Sequence, residues 1–309
     1  MGIPASLGHD LKLPVIAAPM FLVSGPDLVV GCCNAGVIGT FPSLNQRTTE
    51  GYCEWLNEIR ARLGPDAAAF GVNHIVHPTN ARLKADLAVT IEHKVPLVIT
   101  SLGANADIVE AVHSYGGVIF HDVTTARHAR SATKTGVDGL ILVANGAGGH
   151  GGAVNPFALY NEVRQFFDGT IILSGCLSTG GDVATARMLG ADFAYMGTRF
   201  ITTDESLASA EYKEMIIRSV AADITYTPAV SGMLANFMTA SLIAHNVDPH
   251  QNSVHQPNIG DEAKAWKTIW SAGQGVGTVH DVLSVRDLVA RLRSQHDEAV
   301  ATFFSTSRE

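Results

Sequence analysis

One histidine stands among five glycines in the run "ANGAGGHGG", residues 144–152. Imidazole is the side chain best suited to proton transfer near neutral pH. Glycine permits positive φ angles and close approach of a ligand to bare backbone, at a cost in conformational entropy. This composition predicts a loop that lies against a flat ligand, with His150 held over that ligand as a candidate general base.

The same run contains a formal G-x-G-x-x-G match, from Gly146 to Gly151. A dinucleotide-binding fingerprint requires its helix to begin inside the glycine loop. Here the next helix signal comes later, with Asn155 as a cap and Pro156 at the first helical position. The preceding apolar run is also the sixth of the chain and not the first. We therefore reject a Rossmann interpretation of these glycines.

Eight short apolar runs alternate with segments of helical length from residue 14 onward. Each run is rich in Val, Ile and Phe and nearly continuous in apolarity, which is typical of parallel strands covered on both faces. The rhythm predicts an α/β fold of the (β/α)8 TIM barrel type, in preference to an open doubly wound sheet. The runs are "PVIAAPM", "VIGTF", "FGVNHIV", "PLVITS", "GVIFHDV", "GLILVA", "TIILSG" and "FAYMGTRF".

Polar residues and glycines follow nearly every apolar run, at the face where such barrels bind ligands. Gly175 and Gly197 lie at the ends of strands seven and eight, where barrels of this type bind phosphate, although each glycine could also simply end a strand. His121 and Asp122 lie at the end of strand five as either a satisfied polar pair or ligand contacts. Cys176 has no base beside it in sequence and is interpreted as a lining residue. Further residues at these strand ends are Pro19, Met20, Asn73, Ser174 and Thr198.

The eightfold rhythm stops after residue 204. Residues 205–245 have helical patterns, residues 246–278 are polar and irregular, and a final helix leads to the end of the chain. We therefore expect a barrel formed by residues 1–204 and 279–309. Residues 205–278 are expected to form a smaller, mainly helical second domain inserted near the barrel mouth.

Composition argues against several classes of protein. The 309 residues are 46% hydrophobic and carry a formal charge of −8 without a basic run, which argues against nucleic-acid binding. The four cysteines show no metal-ligand spacing, so no metal site is expected. Their small number without a pairing pattern predicts a location in the reducing cytoplasm. No apolar stretch is long enough to predict a membrane span.

Several segments together resemble the nitronate monooxygenase family, formerly called 2-nitropropane dioxygenases. The resemblance covers roughly residues 12 to 280 and depends most on "AGGHGG" and "MGTRF". The other similar segments are "PVIAAPM", "FGVN", "ILSGCLSTGGDVATARMLGADFAYMGTRF" and "WSAGQGVG". The group also includes NADH:quinone reductases and an enoyl-acyl-carrier-protein reductase, and the motifs separate these poorly.

The resemblance implies a TIM barrel that binds FMN without a covalent link, and it gives roles to particular positions. His150 matches the family's catalytic histidine, which removes the α-proton of a nitroalkane. The phosphate of FMN would lie at Gly175, Gly197 and Thr198. The flavin ring would be contacted by Pro19, Met20, Asn73, Gly148 and Gly149, and by a returning segment that contains Trp270, Ser271 and Gln274.

Two departures from the family pattern are visible. Many relatives have Glu-Ala before "GGH", where this chain has Asn145-Gly146-Ala147. Some members of the quinone-reductase branch have lysine after the strand-five histidine, where this chain has Asp122. An aspartate does not stabilise negative charge on a reduced flavin or a phosphate as lysine does, which weakens the case for NADH-linked chemistry.

The function that these observations predict is FMN-dependent oxidation of alkyl nitronates or nitroalkanes by O₂, giving a carbonyl compound and nitrite. The expected partners are a small-molecule substrate and O₂, and pairing of two barrels as a homodimer stays open. The first alternative is an NAD(P)H-dependent FMN reductase of quinones or enoyl thioesters. Further alternatives are a flavin-binding protein without turnover and a phosphate-binding barrel of another kind.

Overall fold

Eight parallel strands close on themselves in the computed structural model, which describes residues 2–250 and 266–306. Each of the eight predicted apolar runs contains one of these strands, so the predicted barrel is confirmed. The ring is closed by β1 and β9, which pair in parallel with Ile16 opposite Tyr195. The barrel strands are β1 (Val15–Ala17), β2 (Ile38–Pro42), β3 (Phe70–Ile75), β4 (Leu97–Ser101), β5 (Val118–Val123), β6 (Gly139–Val143), β8 (Thr170–Ser174) and β9 (Phe193–Met196).

Helices follow most barrel strands and pack on the outside of the ring. Thr179 and Asp182 form a capping box at the start of α8, and Asn155 caps α7 as its position in the sequence predicts. The helices of the described chain are α1 (Ala5–Gly8), α2 (Pro26–Ala35), α3 (Thr49–Arg62), α4 (Leu83–Glu92), α5 (Ala106–His113), α6 (Ala126–Thr133), α7 (Pro156–Arg164), α8 (Gly180–Leu189), α9 (Thr198–Ile201), α10 (Ala210–Arg218), α11 (Thr239–Ala244) and α12 (Val285–Thr306).

The long carboxyl-terminal helix α12 packs against α8 and α2 on the barrel wall. Gly180 makes this approach close, since a Cβ atom placed there would lie 1.9 Å from the carbonyl oxygen of Leu292. At the other end of the chain, Leu7 of α1 is fully buried in a cluster with barrel residues that include Ile38 and Phe193. Both ends of the chain therefore contribute to the barrel core.

A second, antiparallel sheet lies outside the barrel, and the prediction of a mainly helical segment did not include it. Its strands are β10 (Ile224–Thr227), β11 (Ala235–Met238) and the two-residue strand β7 (Gly149–His150), in the order β10-β11-β7. Residues 205–245 thus contain two strands beside α10 and α11. Strand pairing joins residues far apart in sequence, so the local pattern did not reveal it. The proposed division at residues 204 and 279 stays a prediction, and part of the irregular stretch, 251–265, lies outside the described residues.

Within residues 2–250 and 266–306, no helix combines the length and apolarity that crossing a bilayer requires.

Candidate active site

A cavity of about 1060 Å³ opens at the carboxyl ends of the barrel strands. The segment from Trp266 to Gly275 covers one side of it. The cavity brings together almost all of the residues that the sequence singled out. Those that line it are Pro19, Met20, Asn73, His121, Gly148, Gly149, His150, Ser174, Gly175, Gly197, Thr198 and Trp270.

Gln274 is the exception among the predicted residues, because it is not among those that line the cavity. Its backbone N–H donates to the carbonyl oxygen of Gly146 at 2.9 Å. Its side-chain oxygen lies 4.0 Å from the sulfur of Cys176. Gln274 thus supports the back of the glycine loop, and its contact with a cofactor stays a prediction.

The glycine loop ends in a short strand, and not in the free loop that the sequence suggested. Gly149 and His150 form β7 and pair antiparallel with Asn236 and Ala235 of β11. Gly149 has a φ of +71°, a conformation that favours glycine. Pairing with β11 fixes the backbone at Gly149 and at His150 itself. The second sheet therefore determines the direction in which His150 projects.

Two side chains from outside the barrel hold this strand in place. The hydroxyl of Ser271 accepts a hydrogen bond from the N–H of Gly149 at 2.6 Å and donates to the carbonyl oxygen of Asn236 at 2.6 Å. The side-chain amide of Asn236 donates to the carbonyl oxygen of Ala147 at 2.6 Å. Ser271 and Asn236 are buried, so these bonds are shielded from water.

The imidazole of His150 is partly buried at the cavity wall. Its Nε2 lies 3.5 Å from the hydroxyl oxygen of Ser231. Its ring centroid lies 5.4 Å from that of Trp266, with the ring planes tilted by 54°. The ring is thus set between an indole and a hydroxyl at the edge of the second sheet, and it borders the cavity that a reactant would enter.

The glycines around the cavity differ in what requires them. A Cβ atom at Gly148 would meet the backbone nitrogen of Gly273 at 2.9 Å, and Gly175 has a φ of +125°, so the fold itself requires both glycines. Gly197 has a φ of −101°, and a Cβ atom there would make only ordinary contacts, the nearest at 3.7 Å from the sulfur of Met20. Packing does not explain a glycine at 197. A ligand that approaches this backbone closely would explain the glycine. The open backbone at 197 therefore leaves room for a phosphate group such as that of a flavin nucleotide.

The hydroxyl of Thr198 accepts a hydrogen bond from the backbone N–H of Gly273 at 2.9 Å. Its hydroxyl hydrogen can still be donated to an anion. Thr198 therefore joins the end of the barrel strand β9 to the returning segment while it faces the cavity.

Trp270 of the same segment stacks on Tyr212, with ring centroids 4.9 Å apart and an interplanar angle of 11°. The hydroxyl of Tyr212 donates to the carbonyl oxygen of Ser271. Stacking and hydrogen bonding together fix the segment that carries Trp270 and Ser271 against α10.

His121 and Asp122 at the end of β5 have separate partners and do not form a pair. The Nδ1 atom of His121 lies 2.7 Å from the hydroxyl of Thr100, and burial lowers the pKa of this imidazole to about 4. Asp122 accepts a hydrogen bond from Ser101 at 2.5 Å, and burial raises the pKa of its carboxyl group to about 6. His121 is therefore neutral at pH 7, so it can contact a ligand without adding charge.

Cys176 lies at the cavity wall, as expected of a lining residue. Its φ is +59°, in the left-handed region that side chains rarely adopt. Burial raises the pKa of the thiol, with Asp182 acting in the same direction. A thiol with a raised pKa is a weak nucleophile near neutral pH, which agrees with a lining role.

Sequence reasoning did not identify Ser101, Ser231, Asn236, Tyr212 and Trp266 as site residues. Ser101 was recognisable as the last residue of an apolar run. The others belong to the second sheet, to α10 or to the segment around residue 266, whose proximity to the barrel mouth depends on contacts between distant parts of the chain. No local signal reveals such contacts.

The comparisons with known proteins decide the family. The sequence profile described as nitronate monooxygenase matches residues 67–295. The chain belongs to the nitronate monooxygenase family. It is therefore an oxidoreductase, and the flavoprotein character of this family agrees with the resemblance described above.

Curated relatives of this family member carry more than one activity. It is 26% identical over 282 residues to a nitronate monooxygenase of Paraburkholderia phytofirmans, with 76% of each chain covered. It is 28% identical over 230 residues to the (3aS,4S,5R,7aS)-5-hydroxy-7a-methyl-1-oxo-octahydro-1H-indene-4-carboxyl-CoA dehydrogenase of Rhodococcus jostii, covering 74% of this chain and 64% of that one.

Solved structures agree with the fold. A nitroalkane oxidase from Streptomyces ansochromogenes superposes with a TM-score of 0.85 at 23% identity, over 97% of this chain and 100% of that one. FabK from Thermotoga maritima superposes with a TM-score of 0.81 at 23% identity, over 96% of this chain and 97% of that one. At these identities the likeness concerns the barrel and its additions, not the reaction.

Proposed function

We propose that this family member oxidises alkyl nitronates and nitroalkanes with O₂ to a carbonyl compound and nitrite, using FMN bound in the cavity at the barrel mouth. One observation carries the proposal. His150 is fixed by strand pairing at the wall of the same cavity that Gly197 lines, where the backbone is open to close approach of a ligand. Family membership and the nitronate monooxygenase among the relatives support the same conclusion.

The residues divide the binding of FMN between them. Gly175, Gly197 and Thr198 would hold the phosphate at the ends of β8 and β9, where small residues leave the backbone accessible. The bare backbone at Gly148 and Gly149 would lie along the flavin ring. Further contacts to the ring or its side chain would come from Pro19, Met20, Asn73, His121, Ser174 and Trp270.

Bound FMN would supply the electron transfer and oxygen chemistry that amino-acid side chains lack. The protein would contribute a proton acceptor, orientation and a cavity with many apolar side chains. His150 would take the α-proton of a neutral nitroalkane. A nitronate arrives without that proton, so this role of His150 is needed for one substrate form and not for the other.

The main alternative is an NAD(P)H-dependent FMN reductase of quinones or enoyl thioesters. The indene-carboxyl-CoA dehydrogenase among the relatives favours it, as does a cavity lining that includes the cations Arg47 and Lys267. Asp122 argues against it, because a buried carboxyl group beside a flavin disfavours added negative charge on that flavin.

One preparation distinguishes these functions. The purified protein is expected to absorb in the visible range, to release FMN on denaturation, and to form nitrite from ethyl nitronate in air. A colourless protein that takes up no FMN on reconstitution would contradict the proposal. Rapid bleaching of the flavin by NADH without oxygen, together with absence of nitrite, would favour the reductase.

A further inference from the structure

Three hydrogen-bonding side chains form a chain across the ends of three adjacent strands. The side-chain amide nitrogen of Asn73 on β3 donates to the hydroxyl of Ser101 on β4 at 2.7 Å. That hydroxyl donates to the Oδ2 atom of Asp122 on β5 at 2.5 Å. All three residues line the cavity. None of the predicted roles uses Ser101, and none explains Asp122.

The number of hydrogens available in this series of hydrogen bonds fixes the orientation of the Asn73 side-chain amide. A hydroxyl has a single hydrogen, and the carboxylate of Asp122 takes the one that Ser101 has. Ser101 can then only accept from Asn73, which must present its NH₂ group. The same nitrogen lies 3.4 Å from the carbonyl oxygen of Ile99, so both amide hydrogens have acceptors within β4. The carbonyl oxygen of Asn73 is therefore the group left to bind a ligand.

Asp122 has a carboxyl oxygen that accepts no hydrogen bond from the described residues. Its second oxygen, Oδ1, is buried and has no hydrogen-bond partner within the described residues. A buried carboxyl oxygen without a partner is costly and is retained only for a reason. Protonation of this carboxyl group would remove the charged acceptor of the Ser101 hydrogen. That hydrogen could then turn toward Asn73, and the amide would lose its single orientation.

We propose that Asp122 is a positioning residue, which acts through Ser101 to hold Asn73 as a hydrogen-bond acceptor toward an N–H group of the bound flavin. This inference rests on the proposed binding of FMN in the cavity. This role explains why the chain has a carboxyl group at position 122, where some members of the quinone-reductase branch have a lysine. Here the charge orients a neighbouring amide.

The pH range of the effect follows from the carboxyl group itself. Its raised pKa of about 6 places its protonation within reach of ordinary buffers. The other titratable groups that line the cavity include His121 on the same strand, Tyr195 on β9, His128 on α6, and His150 and Cys176 on the cavity loops. Burial keeps His121 neutral down to a pKa of about 4, and burial together with Asp122 raises the pKa of Tyr195.

Two variants distinguish the relay, in which Asp122 acts on Asn73 through Ser101, from a direct effect of the Asp122 charge on Asn73. Asp122→Asn removes the titrating group and leaves all surrounding imidazoles. Ser101→Ala leaves the carboxyl group and breaks its link to Asn73. Ser43→Ala is the matched control, because Ser43 is a buried serine bonded to His74 and is not among the cavity-lining residues.

The first readout needs no cofactor. In the ¹⁵N-labelled apoprotein, the side-chain amide signals of Asn73 are expected to shift with pH through a transition near pH 6. The transition should vanish in Asp122→Asn and in Ser101→Ala and persist in Ser43→Ala. Persistence in Asp122→Asn would overturn the relay, and so would a transition that Ser101→Ala leaves intact, because either result assigns the shift to another group or to direct charge.

The second readout is the dissociation constant of FMN as a function of pH. In the unsubstituted protein FMN is expected to bind about tenfold more weakly below the transition than above it. Both relay variants should show only the smaller change that the FMN phosphate itself causes, since its second pKa is also about 6. A change as large as that of the unsubstituted protein in Ser101→Ala, but not in Asp122→Asn, would overturn the relay. If no form binds FMN at any pH, the proposed function fails, and the amide titration still decides the relay.

Discussion

The backbone N–H of Gly149 donates to the hydroxyl of Ser271 at 2.6 Å, although 122 positions separate the two residues in sequence. Through this bond the returning segment holds the residue next to His150. The barrel alone does not orient the imidazole, since its strand pairs with β11 of the second sheet. The cavity wall that carries His150 is therefore shared between the barrel and the sheet outside it.

Ser271→Ala should loosen this junction. The substitution removes the acceptor of the Gly149 N–H and a donor to the carbonyl of Asn236, which costs about 1–3 kcal/mol of unfolding free energy. Turnover should fall by more than the loss of folded protein explains, since the backbone beside His150 loses its anchor. Urea unfolding and steady-state rates measure the two effects. Ser114→Ala, on the exposed end of α5, is the control and should change neither.

Gly197→Ala tests the phosphate site without disturbing the fold. Because its φ is −101° and the nearest atom to an added Cβ is 3.7 Å away, the apoprotein should keep its melting temperature. FMN binding should weaken about tenfold or more, which corresponds to about 1.4 kcal/mol. Gly181→Ala, in the first turn of α8, serves as a control and should bind FMN normally. Unchanged FMN affinity in Gly197→Ala would remove residue 197 from the cofactor site.

Stability should decrease when the pH falls from 6.5 toward 4, in part because of His74. This imidazole is fully buried between the hydroxyls of Ser43 and Thr90, and burial lowers its pKa from 6.5 to about 4. In that window the unfolded state binds the proton and the folded state does not, so the loss is on the order of 3 kcal/mol. Asp122, with a raised pKa of about 6, acts in the opposite direction.

The contribution of His74 is isolated by His74→Gln. The variant should be less stable than the parent protein at pH 7, and its stability should depend less on pH between 6.5 and 4. Unfolding free energies from denaturant titrations at several pH values give both slopes. Equal slopes in the two proteins would show that other groups cause the acid sensitivity.

The barrel was predictable because each strand is a local, nearly continuous apolar run, and the loops at its mouth followed from the position of the strand ends. The second sheet was not predictable in this way. Ile224–Thr227 and Ala235–Met238 are short strands of mixed composition, and Gly149–His150 becomes a strand only because β11 lies beside it. The prediction of a mainly helical lobe did not include this sheet for this reason, and the lobe as a domain stays a prediction.

The candidate site likewise has features that the sequence predicted and features that it did not. Residues at strand ends, such as Asn73 and Gly197, were identified because the fold alone places them at one face. The link from Asn73 through Ser101 to Asp122 depends on the register of three strands and on the direction of single hydrogens. Neither property can be obtained from one sequence, although the unusual carboxyl group at position 122 was visible in it.

The most direct test of the central claim compares two forms of one substrate in His150→Gln. The parent protein and the variant are assayed for nitrite release from neutral nitroethane and from preformed ethyl nitronate. The exposed histidine variant His245→Gln is the control. If His150 is the base, the variant loses about 100-fold or more of its rate with nitroethane and keeps most of its rate with the nitronate. An equal loss with both forms would contradict the assignment.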